Sequence, residues 1–245
     1  MKKKWVMANW KMNGSKEMVD GYISELQQHS WDNQLELVIF PPMIYLQQFM
    51  GKNLHVGAQN VSSESSGAFT GEVSARMLKE LDCDYVLVGH SERRQNFKED
   101  NAIIAKKFHI VKEHGMIPVI CIGETLKEYQ LGKTRDVLKL QLECLNKDAD
   151  FSFKECIIAY EPAWAIGSGL TPTRHEIAQV FEDIQNILYE LKSAFLDVPM
   201  LYGGSVNEIN IQMIDSIENC SGVLIGGASL KVKQLLEILK CITCC

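Results

Sequence analysis

Several short polar or glycine-bearing stretches of this chain each follow directly on an apolar run: Asn9 and Lys11, Gly89-His90-Ser91-Glu92, Glu161, Gly203-Gly204-Ser205, and Gly226-Gly227. Their types point to proton transfer on an anionic substrate. Glu161 precedes Pro162, which favours an extended backbone before it and carries the carboxylate outward from a strand end, where it can act as a general base. Read blandly, Glu161 is a surface glutamate in a loop. His90 precedes Ser91-Glu92-Arg93, which reads as the first turn of a helix whose positive end disfavours an imidazolium. A neutral ring there can donate to a substrate oxygen, or can simply be satisfied by local hydrogen bonds. Lys11 can supply a fixed positive charge, although an isolated lysine is usually solvated. Glycine pairs let backbone amides approach a phosphate closely; a tight turn uses glycine for its own reasons.

Residues this far apart in sequence need a scaffold that gathers strand ends. Apolar runs of strand length occur at Trp5–Ala8, Leu35–Phe40, Leu54–Ala58, Tyr85–Val88, Ile117–Ile122, Ile157–Tyr160, Met200–Tyr202 and Val223–Ile225. Helical spacing separates them at Met18–Leu26, Ile103–Val111, Val137–Leu145, Ile177–Leu191 and Val232–Ile242. The runs are continuous rather than alternating, so both faces are buried, as in a parallel sheet covered by helices. Eight such units in 245 residues predict an α/β fold, a closed (β/α)8 barrel forming one domain over 1–245. An open doubly wound sheet is the competing topology. It calls for a glycine-rich fingerprint after the first strand, and Asn9-Trp10-Lys11 is not one. In a barrel, working residues sit where strands end at the C-terminal face, and phosphate often binds after strands seven and eight.

Composition narrows the function. A net charge of −6 argues against nucleic acid as a partner and makes any anionic substrate depend on locally placed donors. The basic start is interrupted by Asn9 and Lys11 too early for a signal peptide, no run is long enough to span a bilayer, and the cytosol is the expected compartment. Of the 8 cysteines, Cys121 and Cys156 read as buried strand residues. The tail Cys241-Ile-Thr-Cys244-Cys245 has a C-x-x-C but no second pair for zinc and no strand-to-helix context for redox work, so no metal is expected.

Five stretches together resemble the triosephosphate isomerase family from end to end: Ala8-Asn9-Trp10-Lys11, Gly89-His90-Ser91-Glu92-Arg93-Arg94, Tyr160 to Gly167, Tyr202-Gly203-Gly204-Ser205-Val206, and Gly226-Gly227-Ala228-Ser229-Leu230. The resemblance implies reversible isomerisation of dihydroxyacetone phosphate and glyceraldehyde 3-phosphate, with no metal or organic cofactor. Glu161 resembles the base, acting through an enediolate, and His90 the group that moves protons between the two oxygens. Asn9 and Lys11 would polarise those oxygens, with Glu92 a carboxylate near Lys11. Gly167, Ser205, Gly226 and Gly227 would bind phosphate. The segment from Pro162 to Pro172 resembles a phosphate-gripping lid. A homodimer is also implied: the loop from Gln59 to Glu72 would enter the partner, with Thr70 near the partner's Asn9 and Glu72 near the partner's Arg93. By composition alone that polar loop could equally be mobile.

One departure stands out. Many relatives carry a lysine and then an alanine where this chain reads Gly169-Leu170-Thr171-Pro172, and there the tyrosine matching Tyr202 bonds the alanine N–H. Pro172 has no N–H, so that bond cannot form here, and the resemblance implies Ser205 to a lid amide such as Gly169 as the closing contact. Two rivals share the fold: a Schiff-base aldolase, for which Lys11 is the only good candidate, and a barrel that binds phosphate without catalysis.

Overall fold

The computed structural model describes residues 3–30, 32–146, 153–166, 171–191 and 197–243. Its elements run in order β1 (Lys4–Asn9), α1 (Lys16–Leu26), β2 (Leu35–Phe40), α2 (Leu46–Phe49), β3 (His55–Ala58), α3 (Ala75–Glu80), β4 (Tyr85–Val88), α4 (Ser91–Asn96), α5 (Asn101–Glu113) and β5 (Ile117–Ile122). There follow α6 (Leu126–Gln130), α7 (Thr134–Glu143), β6 (Ile157–Tyr160), α8 (Arg174–Glu190), β7 (Met200–Tyr202), α9 (Ile211–Asp215), β8 (Cys220–Ile225) and α10 (Val232–Thr243). All neighbouring strands are parallel, and β8 returns to β1 through Val6 opposite Val223, so the sheet is a closed barrel and not the open alternative.

The strands are apolar on both faces because each face has its own core. Met7, Val38, Phe40, Leu87, Val119, Cys121, Ala159, Leu201 and Leu224 fill the barrel interior. Their sequence neighbours Val6, Ala8, Ile39, Val86, Val88, Ile120 and Ile158 pack outward against the helices. Interior packing is tight enough to demand glycine at one point. A Cβ on Gly57 would lie 2.2 Å from the Phe40 ring.

Side-chain caps start the helices that follow the mouth loops. Ser15, Ser74 and Asp100 each accept a backbone N–H of the next turn, and full capping boxes join Thr125 to Glu128 and Thr173 to Glu176. The Thr173 box follows directly on Pro172. Helix α7 differs from expectation, stopping at Glu143. Leu145 lies beyond it, still fully buried: its apolar spacing reports burial against the sheet, not helical continuation. Cys121 and Cys156 are buried as expected, and burial, with the Glu161 carboxylate next, pushes the Cys121 thiol well up. Cys244, Cys245 and much of the proposed lid, including Gly167 and Gly169, lie outside the described residues. Among the described residues no helix is long and apolar enough to cross a membrane.

Candidate active site

Strand parity explains which side chains reach the mouth. Met7 points into the barrel, so Asn9, two residues on, does too; Ala159 and Leu201 do the same for Glu161 and Gly203. His90 has the opposite parity to Leu87, and Gly89 corrects it by adopting φ +75°, a left-handed turn that glycine takes freely. Lys11 is itself left-handed at φ 52°. That conformation is held from both ends: the Lys11 N–H donates to Asn9 Oδ1 at 2.9 Å, and Gln59 Nε2 donates to the Lys11 carbonyl at 2.9 Å. Held strain of this kind fixes where the ammonium can go. Lys11 Nζ lies 2.7 Å from Glu92 Oε1.

Glu161 is only 2% exposed, yet both of its oxygens are engaged. Oε2 accepts the Ser91 N–H at 3.0 Å, and Oε1 is 3.1 Å from His90 Nε2. On the other side of the ring, Nδ1 accepts the Glu92 N–H at 3.2 Å. A nitrogen that accepts a backbone N–H carries no proton, so the arrangement is that of an Nε2-protonated tautomer donating toward the carboxylate. Two glycines make room for Glu161. A Cβ on Gly203 would come within 2.9 Å of its Cγ, and one on Gly123 within 1.8 Å of its carbonyl oxygen.

These groups share one cavity of about 390 Å³, whose walls include Asn9, Lys11, His90, Glu161, Ser205, Gly226 and Gly227. The carboxylate and the imidazole stand on one side. Backbone of Gly226 and Gly227, leading into the short 3-10 turn Gly227–Leu230, stands on another. The two glycine pairs therefore differ in what they accommodate. Gly203 and Gly204 give space to side chains, Glu161 and the Tyr202 hydroxyl respectively. Gly226 borders Lys11, whose Cε a Cβ would approach to 3.2 Å, and at Gly227 a Cβ would meet nothing within 4 Å.

Sequence reading passed over two strand ends. Glu124, after β5, is fully buried and accepts the Trp164 indole N–H at 2.8 Å and the Tyr160 hydroxyl at 3.1 Å. Burial pushes its carboxyl up, while those two donors pull the other way. Gln59, after β3, clamps Lys11. Gln59 follows β3 directly and Glu124 follows β5 with only Gly123 between, so the strand-end rule applied to every strand would have found them.

Thr70 and Glu72 are exposed in their loop, whose base is closed by the Ser62 N–H donating to the Val73 carbonyl at 2.8 Å. Arg93 donates to Glu99 of its own chain at 2.6 Å and lies 4.6 Å over the Phe97 ring. Ser205 Oγ donates to the Ala165 carbonyl at 2.6 Å. That leaves its lone pairs able to accept an amide. The Tyr202 hydroxyl is buried with no hydrogen-bond partner among the described residues, and burial pushes its phenol up. An unpartnered hydroxyl contributes little when removed, whereas Ser205 ties the cavity wall to the segment after β6. Tyr202→Phe is therefore expected to cost less than about 1.4 kcal/mol in kcat/KM, one factor of ten, and Ser205→Ala more. Steady-state kinetics on the pair decides it. A larger loss at Tyr202 means that its hydroxyl has an essential partner in the segment outside the described residues.

Comparison with known proteins agrees with this geometry. The sequence profile of the family described as triosephosphate isomerase matches residues 4–242. A triosephosphate isomerase of Legionella pneumophila (strain Philadelphia 1) is 45% identical, covering 99% of this chain and 100% of that protein. Others of the same name are 43% identical in Serratia proteamaculans, over 96% of this chain and 95% of the relative, and 41% in Buchnera aphidicola, over 98% and 99%. With the closed barrel, the mouth residues and matches of this extent in agreement, the chain belongs to the triosephosphate isomerase family.

Proposed function

We propose that this chain interconverts dihydroxyacetone phosphate and D-glyceraldehyde 3-phosphate, with Glu161 moving the carbon-bound proton through an enediolate. The observation that carries the reading is the Glu161 carboxylate, 2% exposed and bonded to His90 Nε2 and the Ser91 N–H at the wall of the 390 Å³ cavity. The carboxylate already stands within hydrogen-bond reach of the cavity, and substrate oxygens entering it compete for its two donors. His90, holding its proton on Nε2, shuttles between the carbonyl and hydroxyl oxygens. Asn9 and Lys11 polarise those oxygens and stabilise the charge that develops, and Glu92 orients Lys11. The phosphate sits against Ser205, Gly226 and Gly227, with Gly167 completing the cradle. No step in this scheme calls on a metal or an organic cofactor. Residues 1–245 act as one catalytic domain, a reading supported by the closure of β8 on β1.

Lys11 speaks against the aldolase alternative. Its Nζ is 2.7 Å from Glu92 Oε1 and its side chain is 26% exposed, whereas an imine-forming lysine calls for a desolvated pocket. A coupled assay on purified protein, following dihydroxyacetone phosphate formed from glyceraldehyde 3-phosphate with chelator present, tests substrate, reaction and metal independence together. Absence of turnover rejects the proposal; loss of turnover on adding chelator rejects its metal-free chemistry.

The proposal extends to a homodimer working in the cytosol. Buried thiols at Cys83, Cys121, Cys156 and Cys220 fit a reducing compartment. Met12, Ile44 and Phe97 are 97%, 78% and 66% exposed around a second cleft lined also by Asn9, Lys11, Glu72 and Arg93. Apolar exposure of this kind beside catalytic groups suits a partner surface, with Thr70 entering the partner's cleft and Glu72 near the partner's Arg93. Thr70→Arg is expected to weaken dimerisation and activity together, read by sedimentation and by the coupled assay. A fully active monomer contradicts the assembly.

A further inference from the structure

Trp164 sits directly before Ala165, whose carbonyl receives Ser205, and two residues before Ile166, which lines the cavity. What holds this indole comes from a single loop and helix. Its N–H edge donates to Glu124 at 2.8 Å. Its face is covered by Tyr129 of α6, the ring centroids 4.5 Å apart and the planes 29° from parallel. The Tyr129 hydroxyl in turn donates to Glu176 Oε1 at 2.6 Å. Glu176 is the capping-box carboxylate of α8, and its other oxygen accepts the Thr173 N–H at 2.6 Å and the Thr173 hydroxyl at 2.7 Å. One tyrosine thus joins the chain leaving β6 to the chain entering α8.

From this geometry we propose that Tyr129 is a positioning residue for the isomerase site, bracing Trp164 against the start of α8 so that Ile166, and Ser205 held on the Ala165 carbonyl, keep their places in the cavity wall. This rests on the isomerase reading above. The two contacts of Tyr129 do different things. Its ring sets the plane of the indole, and an offset aromatic stack resists rotation about the tryptophan side-chain bonds. Its hydroxyl anchors that ring to a helix end fixed by its own capping box, so the anchor does not move with the indole. The bond to Glu176 pushes the Tyr129 phenol up and holds Glu176 below the usual carboxylate range, so donor and acceptor keep these roles at neutral pH. Tyr129 is 36% exposed and does not itself line the cavity. Its influence passes through Trp164.

A brace on the wall acts on substrate and transition state alike, because the non-reacting end of the substrate is bound in both. Loosening it therefore raises KM while leaving kcat in place. Tyr129→Phe keeps the stack and loses the anchor; Tyr129→Ala loses both. With glyceraldehyde 3-phosphate as substrate, the alanine variant is expected to raise KM about two- to tenfold, the range an aromatic pair supplies, and the phenylalanine variant less. The indole N–H resonance of Trp164, assigned with Trp164→Phe, reads the brace without turnover. It is expected to move in both variants, with faster hydrogen exchange in Tyr129→Ala. A lower melting temperature with KM and the hydrogen exchange of that N–H unchanged reduces Tyr129 to a structural contact and overturns the proposal. If the unaltered chain does not turn over triose phosphate, the isomerase reading falls separately. Hydrogen exchange of that indole N–H then decides the brace alone: faster in Tyr129→Ala it stands, unchanged it fails.

Discussion

Replacing Glu161 by alanine is expected to lower kcat by at least the roughly 10²–10⁴-fold of a lost acid/base group while the barrel stays folded. The two halves of that expectation have different origins. Turnover falls because no other carboxylate among the described residues that line the cavity stands where Glu161 does. Stability survives because the groups Glu161 leaves behind, the Ser91 N–H and His90 Nε2, border a cavity large enough for water to satisfy them. Deleting a buried carboxylate also removes a desolvation cost that the fold otherwise carries. Circular dichroism and thermal melting report the fold, and the coupled assay reports turnover. Glu161→Asp is the sharper companion: it keeps the charge and withdraws it by one methylene, so an intermediate loss shows that position matters beyond charge. Near-wild-type turnover in Glu161→Ala removes Glu161 from the mechanism.

The barrel was legible because its signal is carried by many residues at once. Each strand needs apolar side chains on both faces, and Val6 to Ala8 or Val38 to Phe40 cannot be read as half-exposed. Strand limits were less so: β1 extends to Lys4 and Asn9 and β8 back to Cys220, beyond the continuous apolar runs, with the Lys4 ammonium donating to the Cys220 carbonyl at 3.0 Å. Within the site, Asn9 and Glu161 were legible as polar groups following strands, and parity then aims them. Other features depend on meetings between distant segments. That Gly203 makes room for Glu161 follows from the approach of β6 and β7, which no glycine pair announces. The clamp of Gln59 on Lys11 joins the ends of β3 and β1, with Phe40 at the end of β2 as its second acceptor at 2.8 Å. The grip of Glu124 and Tyr129 on Trp164 likewise needs α6 to fold over the segment after β6.

Lys11 carries the second large effect. Lys11→Met keeps most of the stem and deletes the charge, and kcat/KM is expected to fall by about 10²–10³, the loss of one preorganised donor worth roughly 2.7–4 kcal/mol. The size of the effect follows from how completely the chain has fixed this side chain beforehand. Its backbone is left-handed at φ 52°, its N–H is taken by Asn9, its carbonyl by Gln59, and a Cβ on Gly226 would come within 3.2 Å of its Cε. Little remains to be ordered when substrate arrives, so nearly all of the ammonium's attraction is available to the developing oxyanion. The cost to folding should be small. Glu92 loses its partner, but its side chain is 45% exposed and water replaces the ammonium readily. The contrast with Lys11→Arg tests the geometric part: the charge is kept, but a planar, longer guanidinium cannot occupy the place beside Gly226 that a single ammonium does. Both variants are measured as kcat and KM with glyceraldehyde 3-phosphate, alongside a thermal melt. Should Lys11→Arg retain full activity, charge alone is enough and the strained clamp around Lys11 is structural; should Lys11→Met retain it, the fixed positive charge has no part in the chemistry.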